Sequence, residues 1–445
     1  MVGPVSAPAP PRPSLSDHRS DLLVAAGALL LVAVAAGVGW VFGIRLFGDR
    51  HFPGAPSTFG EWPVLGEWLP HVGPGTPAAV LLAAGAVLWG PALVARLSMR
   101  AALALGYVFA VAWTFALAMV DGWDRGVATQ LTSRDEYLAA VPGITDVSVM
   151  LRTFTGRILD FQPDSWITHV AGHPPGATLV FVGLDRVGLG GGAWAAAVCV
   201  LVGALVAVAV PVALAGVGKP GVARSAVPFV ALFPGAVWMG VSADALFAGV
   251  TACGVALLVL GARRPVAAVA GGVVLGFGLF LSYGLVLIGV VALAVVVGNR
   301  DWRGLALAAV GALTVVGVFA AAGFWWSDGY DLVVERYYQG IANDRPYAYW
   351  VWANLACLVL AVGPAAVAGL RRGRAVPVVV WAAVAAVALA TLSGLSKSEV
   401  ERIWLPFAVW VVAAAAVLPA RSHRWWLAAQ AVTALVVNHV LLTNW

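Results

Sequence analysis

Residues 192–216 read GAWAAAVCVLVGALVAVAVPVALAG, an apolar run long enough to cross a membrane as a helix. Similar runs recur between Asp21 and Trp445. Hydrophobic residues make up 61% of the 445 residues and charged residues only 11%, and the mean hydropathy is +0.92. These proportions lie far outside the averages of soluble proteins. The chain is therefore predicted to be an all-α, polytopic membrane protein that lies in the lipid bilayer.

The formal net charge of +5 does not indicate nucleic-acid binding, because the basic residues lie in short clusters between the apolar runs. Cytoplasmic loops of membrane proteins carry an excess of Lys and Arg. If the predicted spans cross the membrane in alternating directions and residues 174–190 do not cross it, then every basic cluster and the N-terminus lie in the cytoplasm. The clusters are Arg96 and Arg100, Lys219 and Arg224, Arg263 and Arg264, Arg300 and Arg303, Arg371, Arg372 and Arg374, and Arg421 and Arg424.

This alternation predicts about thirteen transmembrane helices. In the paired segments 225–262 and 265–298, each half is near the lower limit of about 17 residues for crossing the hydrocarbon. Residues 1–21 are predicted to be a disordered cytoplasmic tail and residues 22–445 a single membrane domain, with short surface helices in the long outer loop 121–191. The predicted spans are residues 22–43, 76–95, 101–120, 192–216, 225–241, 245–262, 265–281, 283–298, 304–326, 350–370, 375–392, 403–419 and 425–443.

Acidic residues are frequent in the loop that follows the third predicted span. Asp121 and Asp124 come directly after that span, and Asp135 and Glu136 follow within the loop. A carboxylate beside a membrane can act as a general base that takes a proton from an attacking hydroxyl. Solvated loop charge or helix capping is the alternative explanation for each of these acids.

The stretch HVAGHPPG, residues 169–176, joins this loop to an apolar segment. An imidazole at such a corner can hydrogen-bond a phosphate or sugar oxygen, which makes His169 and His173 candidates for substrate binding. The two prolines also suit the first turn of a helix, so a capped helix start is an equal alternative. Two His four residues apart are also seen in zinc sites, but no His-Glu-x-x-His pattern accompanies them here.

Two further polar positions interrupt apolar sequence. Asp244 lies between two apolar runs, where an ionisable residue indicates a functional site or a helix cap. Lys397 and Arg402 lie in the dense polar turn 395–404, on the predicted outer side, where they can anchor a phosphate. Pairing with Glu399 and Glu401 is the alternative, and Glu401 is also a candidate for substrate binding.

Several of these residues resemble motifs of the GT-C superfamily of membrane glycosyltransferases, which includes protein O-mannosyltransferases, lipid A aminoarabinose transferases and actinobacterial wall glycosyltransferases. Asp135-Glu136-Tyr137 and His173-Pro174-Pro175 match an acidic motif and a His/Lys-Pro-Pro motif in order and approximate spacing. Asp244 resembles an acidic residue of that family. Residues 276–283 resemble its later Gly-rich run, which often ends in Lys-Tyr or Lys-Gly, and here Ser282 stands in place of the basic residue, before Tyr283. The resemblance covers residues 101–445 and leaves residues 22–100 as additional N-terminal helices.

The resemblance implies a GT-C-like fold and transfer of a sugar from a polyprenyl-phosphate donor to a glycan, lipid or protein acceptor at the outer face of the plasma membrane. It favours Glu136 or Asp135 as the base, whereas position at the end of a span favours Asp121 or Asp124. Since Ser282 replaces the basic residue, phosphate binding would move to Lys397 or Arg402. Tyr283, at the end of the same run, is a further candidate for substrate binding. The Ala- and Arg-rich composition indicates a bacterial, actinobacterial source, and the need for a divalent cation stays open. A transporter or lipid flippase of envelope synthesis, or a noncatalytic assembly partner, is the alternative.

Overall fold

The chain folds almost entirely into helices. The computed structural model describes residues 15–44 and 63–443, and within them the only sheet pairs β1 (Gly66–Trp68) with β2 (Leu441–Thr443) in antiparallel register. The all-α prediction is thus confirmed. The α-helices are α1 (Leu15–Val41), α2 (Thr76–Arg96), α3 (Met99–Ala118), α4 (Val147–Thr153), α5 (Thr168–Ala171), α6 (Pro175–Arg186), α7 (Gly192–Gly203), α8 (Val206–Gly216), α9 (Pro220–Ala231), α10 (Ala236–Met239), α11 (Ala243–Gly261), α12 (Pro265–Leu279), α13 (Ile288–Asn299), α14 (Trp302–Ala321), α15 (Trp326–Gln339), α16 (Tyr347–Val362), α17 (Pro364–Leu370), α18 (Val378–Leu392), α19 (Val400–Ile403), α20 (Leu405–Val411) and α21 (His423–Val440).

Short 3-10 and π-helical turns connect these helices. The 3-10 segments are Met119–Asp121, Gln130–Thr132, Tyr137–Ala139, Val141–Gly143, Thr155–Arg157, Tyr283–Leu287, Ile341–Asn343, Gly373–Ala375, Val412–Val417 and Ala420–Ser422, and Asp124–Ala128 is a π-helical turn.

Within the described part of the chain, six helical segments are long and apolar enough to cross a membrane. Two further segments bring the number to eight if each bent helix pair counts as one span. The protein is therefore multi-pass, but the predicted count of thirteen spans is wrong. The six are Asp17–Val41, Thr76–Arg96, Met99–Asp121, Gly192–Gly216, Ala243–Gly261 and Trp302–Ala321, and the bent pairs are Tyr347–Val362 with Pro364–Leu370 and Leu405–Val417 with Ala420–Val440.

The count falls because several apolar runs form helices that are short or broken. Helices α12 and α18 have 15 residues each, a rise of about 22 Å, which is less than the roughly 30 Å of a hydrocarbon core. The predicted span 225–241 is divided between α9 and α10. Helices α16 and α17 meet at 108°, so the predicted span 350–370 is not one straight helix.

The loop 121–191 contains short helices, as predicted. Its last helix, α6, has 12 residues and rises about 18 Å, too little to cross the membrane. Gly176 at the start of α6 packs directly on the end of α12, because a Cβ atom there would lie 2.5 Å from the carbonyl oxygen of Phe280. Only glycine fits this approach, which fixes the corner 169–176 against the Gly-rich run.

Basic clusters from different parts of the chain gather with the start of α1. Asp21 on α1 is fully buried and pairs with Arg371 at 2.8 Å and with Arg372. Arg421 Nε lies 3.0 Å from His18 Nε2. Helix α1 begins at Leu15, so residues 15–21 of the predicted disordered tail are helical, held by these contacts, while residues 1–14 lie outside the described residues.

Candidate functional site

Arg402 joins three segments that are far apart in the sequence. Its Nη1 atom lies 2.8 Å from Asp244 Oδ2, in the first turn of α11. Its Nη2 atom lies 3.6 Å from Glu399 Oε2 and 3.5 Å from His169 Nε2. The side chains of Arg402 and Asp244 are only 6% and 5% exposed. Burial opposes the charge of Arg402, but Asp244 and Glu399 outweigh it and raise the pKa of Arg402.

His169 connects Arg402 to the acidic motif of loop 121–191. Its Nδ1 atom lies 2.8 Å from the backbone oxygen of Asp135 and 3.4 Å from Glu136 Oε1. A carbonyl oxygen only accepts hydrogen bonds, so these partners assign the proton to Nδ1 and leave Nε2 to accept from Arg402. The buried Glu136 carboxylate thus lies beside the donor side of this imidazole.

His173 is held in the same orientation one turn later. Its Nδ1–H donates to the backbone oxygen of His169 at 2.9 Å, and the two imidazole centroids are 6.4 Å apart in nearly parallel planes. The ring of Tyr137 packs against both. Burial, assisted by the charge of Arg402, lowers the pKa of His173 to about 3. His173 is therefore neutral at pH 7, and its Nε2 atom, which has no hydrogen-bond partner among the described residues, is an acceptor suited to a hydroxyl group.

A second arginine extends the cluster on the other side of Glu399. Arg345 Nη2 lies 2.8 Å from Glu399 Oε1, and Arg345 Nη1 donates to the backbone oxygen of Lys397 at 2.6 Å. Lys397 Nζ donates in return to the backbone oxygen of Arg345 at 3.1 Å and lies 5.4 Å from the ring centroid of Tyr338. Burial would raise the pKa of Glu399, but Arg345 and Arg402 together lower it. Glu399 is therefore an ionised bridge between two arginines.

The turn that presents Glu399 is itself strained. Ser398 and Glu399 have φ angles of 70° and 62°, in the left-handed region, at a cost on the order of 1–2 kcal/mol for each non-glycine residue. Asn354 of α16 holds the turn, because its Nδ2 donates to Ser396 O at 2.6 Å and its Oδ1 accepts from Ser398 N at 3.2 Å. Strain of this kind concentrates at functional sites, where surrounding contacts maintain it.

Glu401 makes no ion pair with this cluster in the described part of the chain. Its side chain is completely buried, and neither carboxylate oxygen has a hydrogen-bond partner in the described part of the chain. The backbone of Leu65 and the thiol of Cys357 are nearby polar groups, and burial raises the pKa of Glu401 to about 7. Glu401 was expected to bind substrate, yet it lies out of contact with solvent.

The remaining candidate residues lie outside the Arg402 cluster or at its edge. The Asp135 side chain is exposed and 3.5 Å from Arg134, so only its backbone reaches His169. Asp121 Oδ1 pairs with His71 Nε2 at 2.7 Å, a contact with a different part of the chain. Asp124 is exposed, and Tyr283 packs on Trp326 and Tyr330. The predicted residues that the structure brings together are Glu136, His169, His173, Asp244 and Arg402.

Two members of the site were not singled out as site residues from the sequence. Glu399 was considered only as a pairing partner, although its place in the dense polar turn 395–404 was the signal. Arg345 lies in a loop of mixed polar residues with no local pattern, so nothing in its neighbourhood distinguishes it. Across the described residues, no three His, Cys, Asp or Glu side chains gather in the way that a metal site requires.

Comparisons of the chain with known protein families, with curated proteins and with solved structures find no match.

Proposed function

We propose that the protein is a GT-C-type membrane glycosyltransferase that moves a sugar from a polyprenyl-phosphate donor to a cell-envelope glycan, lipid or protein. The observation that carries the proposal is the buried cluster of Glu136, His169, Asp244 and Arg402, drawn from distant segments of a multi-pass protein. Ionisable groups buried in such a protein are expensive and mark functional sites by default. The cluster also joins the two motifs that resemble the GT-C superfamily, 135–137 and 173–175.

The proposed reaction needs a base for the acceptor and a cation for the donor. Glu136 takes the proton from the acceptor hydroxyl while the hydroxyl oxygen bonds to the anomeric carbon of the sugar. The bond from that carbon to the donor phosphate breaks, and the phosphate leaves with the electron pair. Arg402 faces the developing phosphate charge, since a guanidinium binds phosphate oxygens in pairs. His173 is neutral, so we assign it to a hydroxyl group through Nε2 and not to the phosphate.

On this proposal the basic clusters lie in the cytoplasm, and the site and loop 121–191 face outward across the plasma membrane. A membrane-impermeant thiol reagent should then label a cysteine placed at the exposed Thr145 but not one at the exposed Arg374, in a protein whose three native cysteines are replaced. Labelling of Arg374→Cys and not of Thr145→Cys would show the opposite orientation, with loop 121–191 in the cytoplasm.

The catalytic proposal is tested by comparing two neighbouring acids. Purified protein in liposomes is given radiolabelled polyprenyl-phosphate mannose or polyprenyl-phosphate arabinose with an envelope extract as acceptor. Glu136→Gln should slow transfer about 10²–10⁴-fold, the usual contribution of a general base. Asp135→Asn, which changes an exposed side chain, is the matched control and should stay within a few-fold of the wild type.

Equal rates for the two variants and the wild type would exclude Glu136 as the base. The assay also separates the transporter alternative. If neither donor yields product, while the wild type moves a fluorescent polyprenyl phosphate between leaflets and Glu136→Gln does not, the protein is a lipid transporter and the transferase proposal fails.

A further inference from the structure

A basic cavity, separate from the Arg402 cluster, lies where α2 ends and α9 and α21 begin. It has a volume of about 470 Å³ and is lined by Arg224, Arg421, His423 and Arg424, and no acidic residue lines it among the residues that the structure describes. Arg224 is fixed in place, because its Nη1 atom donates to the backbone oxygens of Val94 and Leu97, at 2.7 Å each. The cavity therefore concentrates positive charge between helix ends.

An apolar groove continues from this cavity along α2. It has a volume of about 510 Å³, is lined by side chains of α2, α3 and α9, and shares Val94 and Pro228 with the basic cavity. Its lining runs from Ala78 to Val94, a rise of about 24 Å along the helix, which exceeds the roughly 15 Å depth of one leaflet. Leu81 and Trp89 in its wall are exposed at the protein surface.

We propose that the cavity and the groove form one site for an anionic phospholipid, with the phosphate headgroup among the arginines and an acyl chain in the groove. Basic pockets between membrane helices bind acidic lipid headgroups, and guanidinium groups bind phosphate oxygens in pairs. Basic clusters and apolar helix faces are each ordinary in membrane proteins. Their junction at Val94 and Pro228 matches the division of a phospholipid into a charged head and an apolar tail, and thus selects this class of ligand.

Two pairs of variants separate the headgroup from the chain. Arg421→Gln with Arg424→Gln removes two charges from the cavity, and Arg263→Gln with Arg264→Gln is the charge-matched control at exposed positions outside it. Gly85→Leu fills the groove, because a Cβ atom at Gly85 meets only Trp89, at 3.9 Å. Gly27→Leu on α1, where a Cβ atom meets nothing within 4 Å, is its control. The two glycine replacements favour helix, and Gln has about the same helix propensity as Arg, so the fold should persist.

Binding is measured by native mass spectrometry of protein released from nanodiscs that hold equal amounts of phosphatidylglycerol and phosphatidylcholine. We expect the wild type to retain phosphatidylglycerol preferentially. The cavity double variant should bind it about 30-fold more weakly, the effect of two charges near an anionic lipid. Gly85→Leu should also lose it, and both controls should retain it.

Equal retention of the two lipids by the wild type would overturn the proposal, since the groove would then hold only ordinary surrounding lipid. Equal losses in the cavity variant and in Arg263→Gln with Arg264→Gln would overturn it as well. A third result would also overturn it: inorganic phosphate stabilises the wild type as much as phosphatidylglycerol does, and Gly85→Leu does not change this stabilisation. The cavity would then bind a free anion and not a lipid.

Discussion

Replacing Arg402 by Gln should severely destabilise the protein, because it leaves a buried charge without its partner. Arg402 Nη1 lies 2.8 Å from Asp244 Oδ2, and the two side chains are 6% and 5% exposed. Glu399 also approaches Arg402, but it retains Arg345 as a second partner. The carboxylate most affected by the change is therefore Asp244.

Removal of one member of a buried ion pair typically costs about 3–5 kcal/mol, most of it the desolvation of the charge that remains. The near-complete burial of Asp244 and Arg402 justifies that range without a reduction for solvent screening. Arg402→Lys keeps the charge but provides one nitrogen in place of the guanidinium fork. The lysine should keep the contact with Asp244 and lose the contacts with Glu399 and His169. The free energy of unfolding should fall by about 1.5–3 kcal/mol, the contribution of a charged hydrogen bond.

The measurement is a double-mutant cycle on the free energy of unfolding, from denaturant titrations in detergent micelles. Asp244→Asn neutralises the stranded carboxylate, so Arg402→Gln with Asp244→Asn should be destabilised by at least about 1 kcal/mol less than the sum of the single changes. Arg134→Gln, which alters an 80% exposed side chain, is the control and should stay within about 0.5 kcal/mol of the wild type. Additive effects of Arg402→Gln and Asp244→Asn would refute the coupling.

Two further outcomes concern carboxylates outside the Arg402 cluster. Burial raises the pKa of Glu401 from 4.5 to about 7. Between pH 4.5 and 7 the folded protein therefore keeps a proton that the unfolded chain releases, so the free energy of unfolding falls as the pH rises. Glu401→Gln should match the wild type near pH 4.5 and be about 3 kcal/mol more stable at pH 8 in unfolding titrations, and an equal difference at both pH values would contradict this. Asp121→Asn removes the 2.7 Å pair with His71 and should lower the free energy of unfolding by about 1 kcal/mol. Sugar transfer in liposomes should continue at the wild-type rate, and a hundredfold loss of transfer would show that Asp121 takes part in catalysis.

The class of the fold follows from composition, but the number of spans does not. Apolar content predicts helices in lipid because backbone groups there must be satisfied within the segment. An apolar window alone does not reveal where a helix breaks, since apolar residues continue into the breaks: Leu232 and Phe233 precede Pro234 at one, and Phe280 and Leu281 precede Ser282 at the other. The 108° bend between α16 and α17 lies at Gly363-Pro364, a helix-breaking pair that an apolar window passes over. The angle of the bend also depends on packing with a distant helix, since Gly363 lies directly against Gln430 of α21.

The candidate site was predictable where the residues carry local signals. Asp244 interrupts apolar sequence, and His173 precedes two prolines, so each could be singled out without tertiary information. The contacts that unite the site span the whole chain: Arg402 and Asp244 are 158 residues apart, and Arg345 and Glu399 are 54 apart. The tautomer of His169 and the neutral state of His173 come from backbone carbonyl partners and burial, which only the folded chain defines.

The charges around Arg402 determine how the proposed donor phosphate can reach it. Two acids already occupy the guanidinium of Arg402, Asp244 at 2.8 Å and Glu399 at 3.6 Å, so an approaching anion must displace one of them. The side chain of Glu399 is the more exposed of the two, at 17%. Arg345 still neutralises Glu399 if it leaves Arg402, whereas Asp244 has no second arginine among the described residues. The phosphate should therefore displace Glu399. Glu399→Gln is expected to lower the KM for the polyprenyl-phosphate donor several-fold, because one repelling charge is removed, and a raised KM would show that Glu399 holds Arg402 for the donor.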